Sequence, residues 1–392
     1  MASSQTSKPI VLFSARFLPN VGGVEFFTNN LGRQLASMGH DVLVVTTEPT
    51  DDPAADARVS LGEGSFEVMR LNSWGPKRIP FIKRDRHYRE SRARLKELGS
   101  FHALINTRFY DLSQMAASLC HRMGVKPVLI DHGTGYIAFP SKLLSFAAKT
   151  AEHLLTANLR RHPIDFYGVS RDASKWIARF GISSCGEIHN ALDAEAFVAD
   201  QSGRDFRAEQ GIAPGTLCIA YAARLLEEKG ADAMMEAARL LKDDTRLHFF
   251  IAGTGPLEED VAAAAAELEN LTYVGVLNHP DLAALLLGCD VFCFPTRYCE
   301  GLPTSLLEAG ACSDALIASH AGGVDEIIPS SDYGIILEAP TAEAVAEALT
   351  SLADDSERVS QLKAKAHDWI CERFTWESTA QEVLKAFSRA TC

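Results

Sequence analysis

The sequence predicts an α/β protein made of two doubly wound domains, each with a parallel sheet covered by helices. The chain has 392 residues, which is more than one hydrophobic core comfortably serves. Short aliphatic runs alternate with amphipathic stretches, and the runs lack the in–out alternation of half-exposed strands. This strand–helix rhythm stops at a polar, turn-rich segment, residues 194–216, and then starts again.

Twelve strands are predicted, six in each half of the chain. Those of the first half are IVLF, DVLVVTT, FEVMRL, ALINTRF, PVLIDHG and FYGVS; those of the second are LCIAYAAR, LHFFIAG, LTYVGV, VFCFP, ALIAS and YGIIL. We predict one domain over residues 1–200, a second over 201–370, and a closing segment over 371–392. Because ligands of doubly wound sheets bind outside the carboxyl ends of the strands, we expect a ligand in a cleft between the domains.

Composition places the chain among ordinary soluble proteins, with 47% hydrophobic and 23% charged residues. Its apolar runs are all shorter than the roughly 20 residues of a membrane span, and the start of the sequence lacks a signal-peptide pattern. Nine cysteines occur without a CxxC pair, mostly among apolar neighbours, which favours reduced core thiols and a cytoplasmic protein.

Charge is distributed unevenly along the chain. Residues 1–195 carry 24 basic and 19 acidic side chains, whereas the remainder carries 14 and 32. The segment Pro76–Lys96 holds nine basic residues against Asp85 and Glu90. Its charge fits a solvated helix face with local ion pairs. It also fits a surface that contacts anionic lipid head groups or a phosphate-bearing acceptor; near an anionic membrane each basic residue contributes about 1 kcal/mol. The second interpretation predicts peripheral association with the inner face of the cell membrane; no nucleic-acid partner is predicted.

Two features of the first half are candidates for a binding site. Gly22 and Gly23 precede an amphipathic helix, so a phosphate or sugar could approach backbone N–H groups there, although a flexible connection would look the same. The spacing is not GxGxxG, so a dinucleotide fingerprint is not supported. His132 lies at the tip of a predicted strand beside Gly133 and Gly135, which suits either a structural histidine or one at the cleft.

The second half places two cations and a glycine turn after its first two strands. Arg224 and Lys229 at one strand–helix corner suit a diphosphate, with arginine as a planar fork and lysine as a mobile point charge. Because Glu227 and Glu228 lie between them, surface salt bridges are the alternative. Gly253 opens a Gly-Thr-Gly-Pro turn, which by itself indicates a tight connection.

The stretch CEGLPTSLLEA, residues 299–309, predicts a loop followed by a helix that begins near Pro303 or Thr304. Glu308 fits a capping box with Ser305, but it could also hold two ribose hydroxyls. Glu300 lies in the loop, where a carboxylate can accept hydrogen bonds from sugar hydroxyls. The backbone after it offers N–H donors and a helix dipole to phosphate oxygens.

These motifs together resemble a known family. Glu300 and Glu308, with seven residues between them, resemble the E-x7-E signature of retaining GT-B-fold glycosyltransferases of family 4, the "glycosyl transferases group 1" type. The resemblance extends along nearly the whole chain through GGVE with GHDV, His132, GEIHNALDAEAF, AARLLEEKGAD and CERFTWES. Alanine stands at positions 191 and 223, where the family usually has glycine.

The resemblance implies a GT-B architecture, with two Rossmann-like domains facing across a deep cleft and the last helix packing back on the first domain. It implies a retaining hexosyltransferase that uses a nucleotide-sugar, with a UDP-sugar favoured and GDP-mannose next. The acceptor would be a saccharide or lipid-linked molecule in polysaccharide or glycolipid biosynthesis. The family fold needs neither a metal nor another cofactor, because cationic side chains and helix dipoles would carry that charge.

The resemblance also implies a role for each candidate residue. Arg224 and Lys229 would bind the diphosphate and stabilise the leaving nucleotide, and Glu308 would hold the ribose. The donor sugar would contact Glu300 and the backbone of Gly301, Leu302, Pro303 and Thr304, with Gly253 also in the donor site. His132 would lie near the reaction centre, and Gly22 and Gly23 would line the cleft opposite the phosphates.

Two other functions remain open at this point. One is a sugar-nucleotide epimerase of the same architecture, which would produce an epimer from the donor alone. The other is a non-catalytic protein that binds nucleotide-sugars or carbohydrate, which would bind the donor without transferring its sugar.

Overall fold

The computed structural model describes residues 8–20, 22–49, 56–76, 79–136 and 141–390. It divides into two compact units: a first unit of Met1–Asn190 with Trp376–Cys392, and a second unit of Ala191–Thr375. Both units are α/β, and the twelve predicted strands are present. Among the described residues, no helix has the length and apolar character needed to cross a bilayer.

The first unit is built on a largely parallel sheet. Its strands are β1 (Ile10–Ser14), β2 (Asp41–Thr46), β3 (Val59–Leu61), β4 (Gly64–Arg70), β5 (Ser73–Trp74), β6 (Phe81–Ile82), β7 (His102–Asn106), β8 (Val128–Asp131) and β9 (Asp165–Gly168). Its helices are α1 (Gly23–Ser37), α2 (Arg86–Glu97), α3 (Asp111–Arg122), α4 (Lys142–Leu159), α5 (Arg171–Ala178) and α15 (Trp376–Ala390). Over the described residues the sheet order is β3-β4-β2-β1-β7-β8-β9, with β3 antiparallel and β5–β6 a separate antiparallel pair.

Helices cover both faces of this sheet. Side chains of α2, α3, α4 and α5 join one hydrophobic core with Val11 and Phe13 of β1, so these four helices lie on the same face. Leu12 points the other way and lies beneath Gly32 of α1. Helix α15 packs against α1, with the rings of Phe27 and Trp376 5.8 Å apart. The last helix therefore belongs to the first unit.

The second unit repeats the plan with a fully parallel sheet. Its strands are β10 (Leu217–Ala222), β11 (Leu247–Ala252), β12 (Leu271–Gly275), β13 (Val291–Phe294), β14 (Ala315–Ser319) and β15 (Ile335–Leu337). Its helices are α6 (Ala194–Ala199), α7 (Phe206–Glu209), α8 (Ala231–Leu240), α9 (Glu258–Glu267), α10 (His279–Gly288), α11 (Thr304–Ala311), α12 (Val324–Ile327), α13 (Ala342–Ala353) and α14 (Ser356–Arg373). The order over the described residues is β12-β11-β10-β13-β14-β15.

Each sheet contains a point where the strand order reverses. From β10 the chain proceeds outward to β11 and β12, then returns to the other side of β10 for β13. In the first unit, β1 and β7 are related in the same way. The loops that leave two such strands diverge at their carboxyl ends and open a crevice, which is where doubly wound sheets bind ligands. The fold thus predicts which loops carry the site in each unit.

The cysteines match the prediction of core thiols. Within the described residues all cysteines are free, and five of them are buried: Cys120, Cys218, Cys289, Cys293 and Cys312. Burial raises the pKa of the Cys120 thiol to about 12, so this thiol stays protonated and unreactive.

Candidate functional site

The candidate residues lie in both units. The second unit holds Arg224, Lys229, Gly253, Glu300, Gly301, Leu302, Pro303, Thr304 and Glu308. The first unit holds Gly22, Gly23 and His132.

In the second unit, the loops after β10 and β13 meet at the point where the strand order reverses. Arg224 follows β10 by two residues and is exposed. Lys229 ends a short 3-10 turn, Glu227–Lys229, and its Nζ lies 2.5 Å from Oε1 of Glu300. Both side chains of this pair are 13% exposed. The fold therefore brings a cation and a carboxylate, 71 residues apart in sequence, to the crevice where a ligand is expected.

The surroundings of this pair hold it in place. The Thr296 hydroxyl lies 3.3 Å from the same Oε1 of Glu300, and Lys229 Nζ lies 4.4 Å from the centre of the Tyr298 ring. Lys229 thus pairs across the crevice with Glu300. The alternative interpretation, a local salt bridge of Lys229 with Glu227 or Glu228, is wrong.

Arg297 fixes the turn that carries Lys229, and sequence reasoning missed it. Its guanidinium donates to the Glu227 carbonyl at 2.7 Å and to Asp232 at 2.8 Å, and its backbone N–H donates to the Glu228 carbonyl at 2.8 Å. Arg297 therefore links the Lys229 turn to the loop that carries Glu300. The sequence could have suggested Arg297 through its position three residues before Glu300, but the neighbouring residues do not indicate which groups it would contact.

Glycines allow the loops of the second unit to approach one another. Gly253 has φ of +135°, and a Cβ there would collide with the carbonyl oxygen of Ala223, next to Arg224. Gly322 has φ of +58°, and a Cβ there would collide with the carbonyl oxygen of Glu300. Any larger residue at either position would displace a residue of the site or its neighbour.

Helix α11 begins at Thr304, as predicted, and places Glu308 one turn further along. The residue before it is Pro303, and within the described residues no side chain caps the helix. The capping-box interpretation of Ser305 and Glu308 is therefore wrong, and the first N–H groups of α11 keep their donor capacity. Burial raises the pKa of Glu308 to about 7, so this carboxyl titrates near neutral pH.

In the first unit, the glycine pair lies where α1 begins. Gly22 is the residue before the helix and is extended, and a Cβ there would collide with Oε2 of Glu25. Glu25 is buried and lies 3.4 Å from Nε of Arg16. A Cβ on Gly23 would meet no atom within 4 Å. The Glu25 carboxylate therefore fills the space beside Gly22, and a larger residue there would have to displace it; sequence reasoning missed the ion pair with Arg16.

His132 directly follows β8, and a chain of hydrogen bonds sets its tautomer. Thr28 donates its hydroxyl proton to the Val24 carbonyl at 2.7 Å, so its oxygen accepts from Nδ2 of Asn106 at 2.9 Å. Asn106 Oδ1 is then turned toward Nε2 of His132, 2.9 Å away, and this ring nitrogen must donate. The ring also packs edge-on against Phe27 at 4.8 Å.

The protonation state of His132 follows from its surroundings. Burial lowers the pKa of His132 to about 3, so the ring is neutral at physiological pH. With the proton held on Nε2, Nδ1 carries the lone pair. The side chain can therefore accept a hydrogen bond from a ligand through Nδ1, but it is not a cation that could balance phosphate charge.

Comparison with known families shows what kind of protein carries these two groups of residues. The family "Glycosyltransferase Family 4" matches residues 21–196, and the family "Glycosyl transferases group 1" matches residues 203–369. The chain belongs to the group 1 / family 4 glycosyltransferases that these two matches describe. The resemblance drawn from Glu300 and Glu308 is confirmed at the level of the family.

Individual relatives and solved structures support the same assignment. This glycosyltransferase is 25% identical to one component of the human phosphatidylinositol N-acetylglucosaminyltransferase, over 97% of its own length and 76% of the relative's. It is 26% identical to the Mycobacterium tuberculosis GDP-mannose-dependent alpha-(1-6)-phosphatidylinositol monomannoside mannosyltransferase over 54% of its own length and 57% of the relative's. The crystal structure of Anabaena HepE in complex with UDP superimposes with a TM-score of 0.71 at 15% identity, over 97% of this chain and all of that one. The fold is GT-B, as predicted.

Proposed function

We propose that this glycosyltransferase moves a sugar from a nucleotide-diphosphate donor to a lipid-linked or saccharide acceptor, with retention of anomeric configuration and without a metal ion. A UDP-sugar is the favoured donor and GDP-mannose the next. The observation that carries the proposal is the Lys229–Glu300 pair at the crevice of the second sheet, with Arg224 beside it.

The pair suits both ends of such a donor. The Lys229 ammonium has three donors and needs one for Glu300, so two remain for diphosphate oxygens. The Glu300 carboxylate has further acceptor sites for the hydroxyls of the donor sugar. Arg224 and the first N–H groups of α11 add positive charge on the same edge of the sheet.

The chemistry follows from that charge. As the bond from the anomeric carbon to the diphosphate breaks, negative charge grows on the leaving oxygen, and Arg224 and Lys229 stabilise it. The acceptor hydroxyl bonds to the anomeric carbon from the face that the nucleotide leaves, and its proton passes to the departing phosphate oxygen. A preorganised cation in such a site typically lowers the barrier by about 3–4 kcal/mol. His132, neutral under these conditions, would hydrogen-bond to the sugar.

Donor and acceptor classes are proposed from the relatives. The HepE structure was determined with UDP, which supports a uridine nucleotide, and the mycobacterial relative is GDP-mannose-dependent, which supports the second choice. The names of the human and the mycobacterial relative both contain phosphatidylinositol. We therefore favour a lipid acceptor over a free saccharide.

A two-stage experiment tests the proposal. A thermal-shift panel of nucleotide-sugars identifies the donor, because a ligand that binds the folded state raises the melting temperature. Transfer is then followed by nucleotide release and by the anomeric configuration of the product, with and without a chelator. We expect an α-linked product from an α-linked donor, no loss of rate with the chelator, and a nearly inactive Glu300→Gln variant.

The control is Glu259→Gln, which changes an exposed glutamate of the second unit outside the site. Formation of an epimer from the donor alone would show an epimerase. Donor binding without transfer to any acceptor would show a non-catalytic binder. Full activity of Glu300→Gln would refute the assignment of the site.

A further inference from the structure

Helix α4 of the first unit carries an exposed apolar face. Leu143, Ala147, Ala151 and Leu154 are spaced i, i+4, i+8 and i+11 and line up along the outside of the helix. Phe146 flanks this line on one side and Leu144 on the other. The four large side chains of the face, Leu143, Leu144, Phe146 and Leu154, are between 57% and 77% exposed. These six residues form the α4 face.

The charges on the outer surface of this helix are of one sign. Lys142 and Lys149 are both exposed and, seven residues apart, lie on the same flank of the α4 face. Glu152, the acidic residue of α4, points to the interior instead and pairs with the buried Arg108. The outer surface of α4 is therefore apolar with a positive border, which is the composition of helices that lie in a membrane interface.

A second exposed element has the same character. Trp74 of β5 and Phe81 of β6 stack at 5.1 Å, and Trp74 is 59% exposed. Helix α2, which follows, bears five of the nine basic side chains of Pro76–Lys96, and the other four precede it in the sequence. Three of the nine are paired with acids, namely Arg84 with Asp111, Arg86 with Glu90 and Arg94 with Glu67. Lys77 and Arg78 lie outside the described residues.

The topology brings the two elements to the same side of the first unit. Helices α2 and α4 pack against the same core, so they lie on one face of the sheet. Because α2 leads to β7 and α4 leads to β9, and both strands are parallel to β1, both helices start at the carboxyl edge. Trp74 with Phe81 and the α4 residues from Leu143 to Phe146 thus lie toward the edge that also carries His132.

We propose that the α4 face, with the Trp74–Phe81 stack and the basic residues of α2, docks the enzyme on an anionic lipid bilayer. The apolar side chains enter the boundary between head groups and acyl chains, while the lysines and arginines contact anionic head groups. The charge beside the α4 face favours a membrane over a second copy of this chain as its partner. A second copy would bring Lys142 and Lys149 close to the same lysines, whereas an anionic membrane complements them. The surface pairs on α2 contribute little to stability and can exchange carboxylates for lipid phosphates.

This inference is separate from the proposed reaction, because a surface can bind membranes whatever the catalytic site does. It would nevertheless present a lipid-linked acceptor at the edge of the sheet that carries His132. The basic segment alone predicted an electrostatic contact. The structure adds an apolar component, which predicts binding that salt weakens but does not abolish.

Co-sedimentation of the full-length protein with vesicles tests the proposal. The vesicles contain either phosphatidylcholine alone or equal parts of phosphatidylcholine and phosphatidylglycerol. The test variant combines Leu143→Gln, Phe146→Gln and Leu154→Gln. We expect the wild type to bind the anionic vesicles more tightly, and we expect the variant to lower this partition by about tenfold or more. The matched control combines Leu240→Gln, Val276→Gln and Leu287→Gln, exposed apolar residues of the second unit, and should bind like the wild type.

A second measurement does not depend on the triple variant folding. In a Trp74→Phe background, which removes the exposed tryptophan of the stack, Phe146→Trp should lose fluorescence with vesicles that contain brominated acyl chains, whereas Leu240→Trp should not. Equal partition of wild type and test variant, or absence of quenching at position 146, would overturn the proposal. A different result would assign the α4 face to a second copy of the chain and overturn the proposal. In that case the wild type would be a dimer that does not bind vesicles, and the test variant would be a monomer.

Discussion

Replacing Lys229 with methionine keeps an unbranched side chain one heavy atom shorter and removes its charge. In the structure this takes away the partner of Glu300 at 2.5 Å, in a setting where both side chains are 13% exposed. Two costs follow. Loss of a preorganised cation at the leaving group lowers kcat by about 10²- to 10³-fold. Leaving a shielded carboxylate without its lysine costs about 1–3 kcal/mol of folding stability, which the nearby Thr296 hydroxyl reduces.

The assay is the initial rate of acceptor-dependent nucleotide release with the donor found by thermal shift. Lys242→Met, an exposed lysine of the same unit, is the matched control and should retain the wild-type rate. Because Lys229 and Glu300 act as a pair, the double variant Lys229→Met with Glu300→Gln should be about as slow as the slower single variant. A rate for Lys229→Met within about threefold of wild type, with an intact melting transition, would refute the electrostatic role.

Three further predictions concern neighbouring groups. Because the pKa of Glu308 is raised to about 7, affinity for the nucleotide-sugar should increase as pH rises through neutrality and Glu308 ionises, and Glu308→Gln should flatten this profile in calorimetry. Arg297→Gln should raise KM for the donor by about tenfold, since it frees the Lys229 turn from the Glu300 loop; an unchanged KM would exclude this positioning role. Burial raises the pKa of Asp314 well above its usual range despite Lys363 nearby, so ionisation opposes folding as pH rises above the unfolded value. Asp314→Asn should therefore gain unfolding free energy relative to wild type as pH increases, and a difference that is constant from about pH 5 to 8 would contradict this.

The strands of both sheets could be predicted from the sequence, because strands buried on two faces appear as continuous apolar runs. The short strands β3, β5 and β6 could not. They are two or three residues long, lie at an edge or in a separate pair, and bury too few side chains to leave a pattern.

The sequence predicted those residues of the candidate site that lie within a single motif. Glu300, Glu308, Arg224 and Lys229 each follow a strand of the second sheet, so their edge of the sheet could be inferred. The Lys229–Glu300 pair and the role of Arg297 could not, since both depend on loops that meet only after folding.

The α4 face and the pairing of the α2 charges were likewise outside what sequence reasoning provided. An amphipathic pattern shows that a helix has an apolar side that packs on the core. It does not show whether further apolar residues, such as those of the α4 face, are exposed in the folded protein. For the basic segment Pro76–Lys96, the acids that neutralise Arg84 and Arg94 come from α3 and β4, far away in the sequence. The interpretation as a helix face with local ion pairs thus holds for part of the segment.

The most direct test of the central claim is a crystal structure of the enzyme with a bound nucleotide-sugar. We predict the diphosphate within hydrogen-bonding distance of Arg224 and Lys229, the sugar hydroxyls on Glu300 and the ribose on Glu308. A nucleotide-sugar bound away from the carboxyl edge of the β10–β13 crevice would contradict the account.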